Sequence, residues 1–301
     1  MGVTTAPAPA TPVRSGWSRT VRRGRALLGV VPFFAYVAVF LVVPTLVVAV
    51  GAFTGDGGPT SANVAALFDA YIIDAFLRSI VLSALTAVVG AVLGALLAYA
   101  LVTARPGGPL RRVVTAACGV LAQFGGVTLA FAFIATLGLS GFVTVFLRDR
   151  LGLDIYSGGV WLFELPGLAL VYTYFQIPLM VIVFLPALDG IRPQWREAAE
   201  SLGGSTWQYW SRVAGPLLAP AFAGSTLLLF ANAFSAYATA AALVSQGNPI
   251  VPLQVRSALT SEVVLGQENL GKAMALGMVL VVAVVMWLYA LLQRRTARWL
   301  G

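Results

Sequence analysis

Long apolar stretches alternate with short polar ones along this chain. Runs long enough for a bilayer-crossing helix, about 20 residues, recur at 27–53, 79–103, 113–138, 160–188, 217–244 and 271–293. Each is too long and too uniformly apolar for a strand, so the pattern predicts an all-α membrane protein with six transmembrane helices. Pro32, Pro44, Pro178 and Pro186 fall inside predicted spans. A membrane helix tolerates them when neighbouring groups take over the freed carbonyls. The first run follows a basic segment as a signal peptide would. It is too long for a signal-peptide apolar core and lacks a good cleavage signal, so it reads as a retained span.

Composition agrees with the pattern. The 301 residues are 59% hydrophobic and only 10% charged, against about 25% charged in soluble domains. The surplus apolar surface requires lipid. Charge then sets the orientation. With the N-terminus in the cytoplasm, six spans return the C-terminus there. All but five of the 19 basic residues (Arg78, Arg148, Arg150, Arg256 and Lys272) then lie in cytoplasmic segments, and eight of the 11 acidic residues lie outside. This is the positive-inside pattern. The net charge of +8 is thus a property of the span ends, not a nucleic-acid-binding face. The expected organisation is a basic cytoplasmic N-terminal segment, 1–26, followed by a transmembrane domain, 27–301, with a cytoplasmic loop at 189–216.

Several functions are disfavoured by what the chain lacks. It has no histidine, and its single cysteine, Cys118, lies in an apolar run, so His-based metal sites, His-containing triads and an internal disulfide are excluded; no catalytic, cofactor or metal site is expected. No Asp, Glu, Lys, Arg or His sits in mid-span; Glu164, near the outer end of the fourth, comes closest. Proton-coupled carriers place such groups at mid-membrane, although a sodium site built of carbonyls and hydroxyls needs none. Gly266 to Lys272 has P-loop spacing, but Ala273 stands where Ser or Thr should meet magnesium. The segment also follows no buried strand and lies on the outer side, so the spacing is coincidental.

The 189–216 loop is unusual. Pro193 can open a helix, Gln194 to Leu202 favour one, and Gly203-Gly204 end it. Ser205 or Thr206 can then cap a second helix carrying Trp207, Tyr209 and Trp210. By spacing alone the loop is either an interfacial amphipathic element or a rigid peg for a cytoplasmic partner.

The same loop carries a family resemblance. Glu197-Ala198-Ala199, three residues, Gly203, nine residues, then Val213 and Pro216 resembles the EAA loop of ABC importer permeases. There the pattern ends I-x-L-P; Val213 is conservative and Gly215 departs from the leucine. The loop also lies between the fourth and fifth of six spans, as in that family. The resemblance extends over nearly the whole chain from residue 27, including Gly138-Leu-Ser-Gly141 and Leu151-Gly152-Leu153. It implies the type I (MetI-like) importer fold, in which two permeases pair and each inserts a coupling helix into an ATP-hydrolysing subunit. An extracytoplasmic solute-binding protein delivers cargo to such a pair, in the bacterial cytoplasmic membrane. It further implies that Glu197, Ala198, Ala199, Glu200, Gly203 and Pro216 form the coupling element and that the chain is not itself an enzyme.

For the translocation path the expected residues are polar ones within spans: Asn232, Ser235 and Thr239, which share one face if 217–244 is a continuous helix, with Gln123, Thr128, Tyr172 and Gln176. Interhelical hydrogen bonding is the alternative role. Val43 to Phe53 and the short first outer loop resemble the polyamine, sulfate, thiamine and ferric-ion branch, and the later spans resemble the spermidine/putrescine type, which makes a polyamine or a related small solute the expected cargo. A secondary transporter not driven by ATP is the competing reading.

Overall fold

The computed structural model describes residues 30–55, 57–104, 108–244, 250–260 and 268–297, with side chains described to residue 291. The predicted basic segment 1–26 and Gly266 lie outside these residues. Among the described residues six helical runs are long and apolar enough to cross a membrane.

The chain divides into two units, residues 1–50 and 51–301. The first is represented by most of helix α1 (Val30–Ala52). Pro44 cannot donate a hydrogen bond and its ring crowds the preceding turn. The helix widens into a π-turn over Ala38–Val42 immediately before it, and the Thr45 hydroxyl donates to Leu41 O at 2.7 Å.

The second unit is built around α2 (Ala70–Thr103) and α6 (Leu165–Asp189), its most extensive helix pair. Helix α2 starts nine residues before the predicted span because its polar first turns, with an Asp74–Arg78 pair at 2.7 Å, continue the helix. One face of α2 carries Ser79, Ser83, Thr86, Gly90 and Gly94, all buried. The opposite face presents Leu77, Val81, Leu85, Val88, Val92 and Leu96, all exposed. Such a helix is inverted for water and right for lipid, which solvates the apolar face while the small residues admit a neighbour closely. A Cβ on Gly90 would stand 2.7 Å from Gln176 Cβ, and one on Gly94 2.5 Å from Met180 Cβ. The G-x-x-x-G spacing sets how near α6 can come.

The other helices of this unit are α3 (Pro109–Gln123), α4 (Gly126–Leu137), α5 (Phe142–Leu151), α7 (Pro193–Ser201), α8 (Gly215–Phe234), α9 (Ala238–Leu243), α10 (Val251–Thr260) and α11 (Glu268–Ala297), of which α3 and α8 pack most extensively on the pair. Three apolar clusters fill the interior, the smallest of them Ile72, Ala75, Val251, Ala258 and Met274. Of the larger two, one centres on Leu129, Leu168, Tyr172 and Ala240; the other, towards the 189–216 loop, centres on Ala91, Met180, Phe184 and Leu218.

Three predicted elements are corrected. The third run, 113–138, is two helices: Gly125 and Gly126, the latter at φ +70°, interrupt it with a backbone that glycine alone adopts freely. The fifth run, 217–244, is also two helices, broken at Ser235–Tyr237. The segment between the last two spans contains α10, docked by a hydrogen bond from Val251 N–H to the Ser79 hydroxyl at 2.9 Å. The P-loop-like segment is helical from Glu268, and Gly271 packs on Ala258 and Leu259.

Gly94→Val should lower stability by about 1–3 kcal/mol, since overpacking forces α2 and α6 apart. Gly119→Val, where an added Cβ meets nothing within 4 Å, should change it by less than about 0.5 kcal/mol. Thermal unfolding in detergent reads both; equal effects would show that α2–α6 contact does not limit stability.

Candidate functional site: an exposed capped loop and two broken spans

The 189–216 loop folds as a rigid hairpin. Pro193 is the first residue of α7, where its missing N–H is not needed. Leu202 N–H donates to Ala198 O, Gly203 N–H to Glu200 O at 2.9 Å and Gly204 N–H to Ala199 O at 2.8 Å. Gly203 stands at φ +77°, the left-handed conformation that ends a helix and favours glycine. Ser205 caps the next turn (Thr206–Tyr209) through a reciprocal capping box with Gln208. Both predicted turn signals are therefore in place, and the hydrogen bonds that form the two turns are local.

On this hairpin Glu197 and Ala198 are exposed and Ala199 is half-buried. Glu200 pairs with Arg196 one turn back at 2.9 Å; that hydrogen bond and the Glu200 charge hold the guanidinium above its ordinary pKa. The most exposed apolar side chains of the loop are Leu202, 88% exposed, and Trp207, 79% exposed. They stand at either side of the glycine turn. Leu202 was not anticipated from sequence; an isolated leucine before a glycine pair reads as an ordinary helix end. Tyr209 and Trp210 point back into the protein, Trp210 edge-on to Tyr99 of α2. The second predicted helix is a single turn followed by a π-turn, Trp210–Ala214, that leads directly into α8. Pro216 is the second residue of α8. The Gly215 departure has a local reason: a Cβ there would lie 2.5 Å from Trp210 O.

The expected path residues separate into two groups. Gln176 is fully buried and donates through Nε2 to the Thr86 hydroxyl at 2.8 Å. Its Oε1 has no partner. Tyr172 is buried and its hydroxyl donates to Ala236 O. Thr239 is also buried, on α9, so Asn232, Ser235 and Thr239 do not form one helical face. Gln176 and Tyr172 thus tie separate parts of the bundle together. Asn232, Ser235, Gln123 and Thr128, by contrast, are exposed, and all four flank the two helix breaks. The breaks adjoin: a Cβ on Gly126 would lie 3.6 Å from Ala238 Cβ.

The second break has a tertiary cause. Tyr172 claims Ala236 O, while the Ser235 hydroxyl donates to Ala231 O at 2.8 Å, which also keeps the Ser235 N–H, and to Asn232 O at 3.3 Å. Tyr172 lies seven residues inside α6, about 10 Å from its end at 1.5 Å per residue, so the break is at membrane depth. Non-helical backbone at that depth is tolerated where it is covered by protein or lines water.

With this geometry in hand, likeness to known proteins can be read. No protein-family model matches the chain. It is 30% identical over 175 residues to the sulfate transport system permease protein CysT of Escherichia coli, covering 58% of each. It is 29% identical to the ferric transport system permease protein FbpB of Actinobacillus pleuropneumoniae, covering 64% of this chain and 27% of that one. It is 26% identical to the molybdenum transport system permease protein ModB of E. coli, covering 40% and 49%. The chain spans less than two thirds of the length of these curated relatives. Among solved structures, a chain of the bacterial alginate ABC transporter, in complex with alginate pentasaccharide-bound periplasmic protein, superposes with a TM-score of 0.74 at 18% identity. The match covers 93% of this chain and 97% of that one. A chain of the inward-facing MetNI methionine ABC transporter gives 0.55 at 16% identity, covering 74% and 95%.

The protein is a multi-pass membrane protein with the fold that ABC importers use for their membrane-spanning subunits. Its sequence is similar to ABC transport permeases, as the loop motif led us to expect. A polyamine cargo finds no support among these relatives.

Two measurements test the division of path residues. With Cys118 replaced by serine, Asn232→Cys and Ser235→Cys should react with a membrane-impermeant maleimide while Thr239→Cys stays protected, because a thiolate forms only where water reaches. Protection of all three would place the breaks out of contact with water. Thr86→Val should destabilise by about 0.6–2 kcal/mol, the range for interhelical hydrogen bonds in membranes. Adding Gln176→Leu should recover part of that loss in thermal unfolding, because the stranded amide is removed.

Proposed function

We propose that this chain is the permease subunit of an ATP-driven importer in a bacterial cytoplasmic membrane, moving cargo by alternating access. The observation that carries this reading is the 189–216 hairpin. It is locally capped at both helix ends, exposes Glu197, Leu202 and Trp207 at its tip, and joins α6 to α8 without slack. An exposed leucine and tryptophan beside a free carboxylate make a small docking surface of the kind that interface hot spots use. In this reading Glu197, Ala198, Ala199, Glu200, Gly203 and Pro216 form the coupling element. The ATPase is a separate subunit, a second permease pairs with this one, and a solute-binding protein supplies the cargo from outside. Hydrolysis of ATP belongs to the partner, and this chain is no enzyme.

The path runs along the face where the two broken spans adjoin and where Gln123, Asn232 and Ser235 are exposed. Such a face is costly against lipid and useful against water or a second permease. The charged group recorded against the breaks among the described residues is Arg256, 5.8 Å over the Tyr237 ring; a guanidinium does not release its proton at working pH, which favours the ATP-driven reading over a proton-coupled secondary carrier. For cargo, the sulfate and molybdenum names of the relatives make a small inorganic oxyanion the first class to test, ahead of a polyamine.

The test is reconstitution with the cognate ATPase. Glu197→Ala should weaken ATPase capture by about 10- to 150-fold, the effect of losing one charge-assisted hydrogen bond of about 1.5–3 kcal/mol. Gly203→Val, which forces a β-branched residue to φ +77°, should abolish binding-protein-stimulated hydrolysis. If both variants bind the ATPase and respond as the unmodified chain does, the hairpin is an interfacial element and uptake driven by an ion gradient becomes the reading to pursue.

A further inference from the structure

A groove of about 540 Å³ opens between α2, α6 and α8, beside the hairpin and distinct from the broken-span face. Its walls are apolar, with Leu96, Phe184, Leu218 and Phe222 among them, and Tyr99 and Trp210 line it where α2 and α8 approach the loop. Leu96 and Tyr99 are exposed along one wall, so the groove opens sideways from the bundle at membrane depth. Its size is in the range of small-molecule sites, about 300–1,000 Å³.

Three observations identify an occupant. First, Gly215 lies on the groove surface, at the position where the EAA-loop pattern carries leucine. The departure therefore does two things: it permits the π-turn that turns Trp210 towards Tyr99, and it leaves space that a leucine would fill. Second, the polar end of the groove is aromatic, with the Tyr99–Trp210 pair 5.3 Å apart. Tyrosine and tryptophan take this position at the headgroup level of a bilayer. Third, that end is electropositive. Leu188 on the groove wall precedes Asp189, which pairs with Arg111, and Arg212 follows Trp210 by two residues. The nearby charged groups are the Arg196–Glu200 and Arg111–Asp189 pairs, with Arg112, Arg192, Arg212 and Glu197 on the same segments, which leaves an excess of arginine. Basic pockets between spans on the cytoplasmic side attract anionic headgroups. An apolar slot that opens to lipid and ends in aromatic rings and arginine is complementary to an amphiphile with a negative head.

We propose that this groove seats one acyl chain of an anionic phospholipid of the cytoplasmic leaflet, with the phosphate held at the end formed by Tyr99, Trp210 and Arg196. The lipid then packs against the root of the hairpin, where α8 begins, and becomes part of the surface that sets the angle of that hairpin. The inference uses the cytoplasmic placement of the loop, but it is read out through lipid and not through transport.

The experiment places the full-length chain in phosphatidylcholine vesicles containing increasing fractions of acyl-brominated phosphatidylglycerol or, separately, acyl-brominated phosphatidylcholine. Quenching of Trp210 is taken as the difference between the chain and its Trp210→Phe variant. The expected result is saturable quenching by phosphatidylglycerol, half-complete at a fraction about fivefold lower than for phosphatidylcholine, the preference one arginine near the surface provides. Arg196→Gln should remove the preference. Gly215→Leu should remove the saturable component, and so should Ala219→Phe, which fills the groove from an exposed position and leaves the π-turn intact. Equal, non-saturating quenching by both lipids overturns the proposal and marks bulk contact only. Saturable quenching that persists in both groove-filling variants also overturns it. So does unchanged quenching accompanied by a shift in oligomeric state, which would make the groove a seam between copies.

Discussion

Helices α2 and α6 approach closely because Gly90 and Gly94 present no side chain where Gln176 and Met180 must fit. Much of the second unit depends on that contact. In lipid there is no hydrophobic drive to bring helices together, so close approach and shared hydrogen bonds must do it. The Gln176–Thr86 bond forms at the same interface, near the middle of α6. With α6 held there, Tyr172 reaches Ala236 O, which ends α8 and starts a new direction for α9. With α2 held there, Ser79 receives the Val251 N–H and anchors α10. A pair of glycines thus bears on where the polar groups of three other elements, α8, α9 and α10, can be satisfied.

The 189–216 hairpin follows a different logic. Its geometry is fixed by bonds within a few residues, a glycine C-cap and a serine N-cap, and owes little to the bundle. That independence suits an element whose partner is another protein. It leaves α6 through Asp189, which an arginine of α3 engages, and enters α8 through a π-turn with no flexible spacer. In the importer reading, force applied to the hairpin acts at once on the helix that carries Gln176 and Tyr172 and on the helix that ends at the break. The coupling element and the path are thereby consecutive parts of one mechanical unit.

The two helix breaks show why polarity alone misassigns residues in a membrane. Gln176 and Thr239 are as polar as Gln123 and Asn232, yet the first two lie inside the bundle and the last two are exposed. A buried amide is tolerated where a hydroxyl meets it, as Thr86 meets Gln176. An exposed one at the same depth needs water or a partner chain. The difference lies in which neighbour occupies the facing position, and that neighbour comes from a distant part of the chain.

The chain's apolar runs of span length determined that it is a membrane protein of six helical crossings, because lipid leaves a helix as the form in which such a run satisfies its own backbone. The loop was equally legible: Pro193, Gly203-Gly204 and Ser205 act on their immediate neighbours, so their consequences could be read locally, and the spacing from Glu197 to Gly203 resembles the EAA loop. The break at Gly125–Gly126 was also written locally, although its apolar surroundings read as one continuous span. The break at Ser235–Tyr237 was not, since no glycine or proline marks Phe-Ser-Ala-Tyr and its cause, Tyr172, lies more than sixty residues away. Nor could spacing show that Gln176 and Thr239 turn inward, or that Gly215 opens a groove, because each depends on which helix stands opposite. Periodicity and capping act within a few residues and survive in the sequence; the pairing of helices is decided only when small residues from distant spans meet.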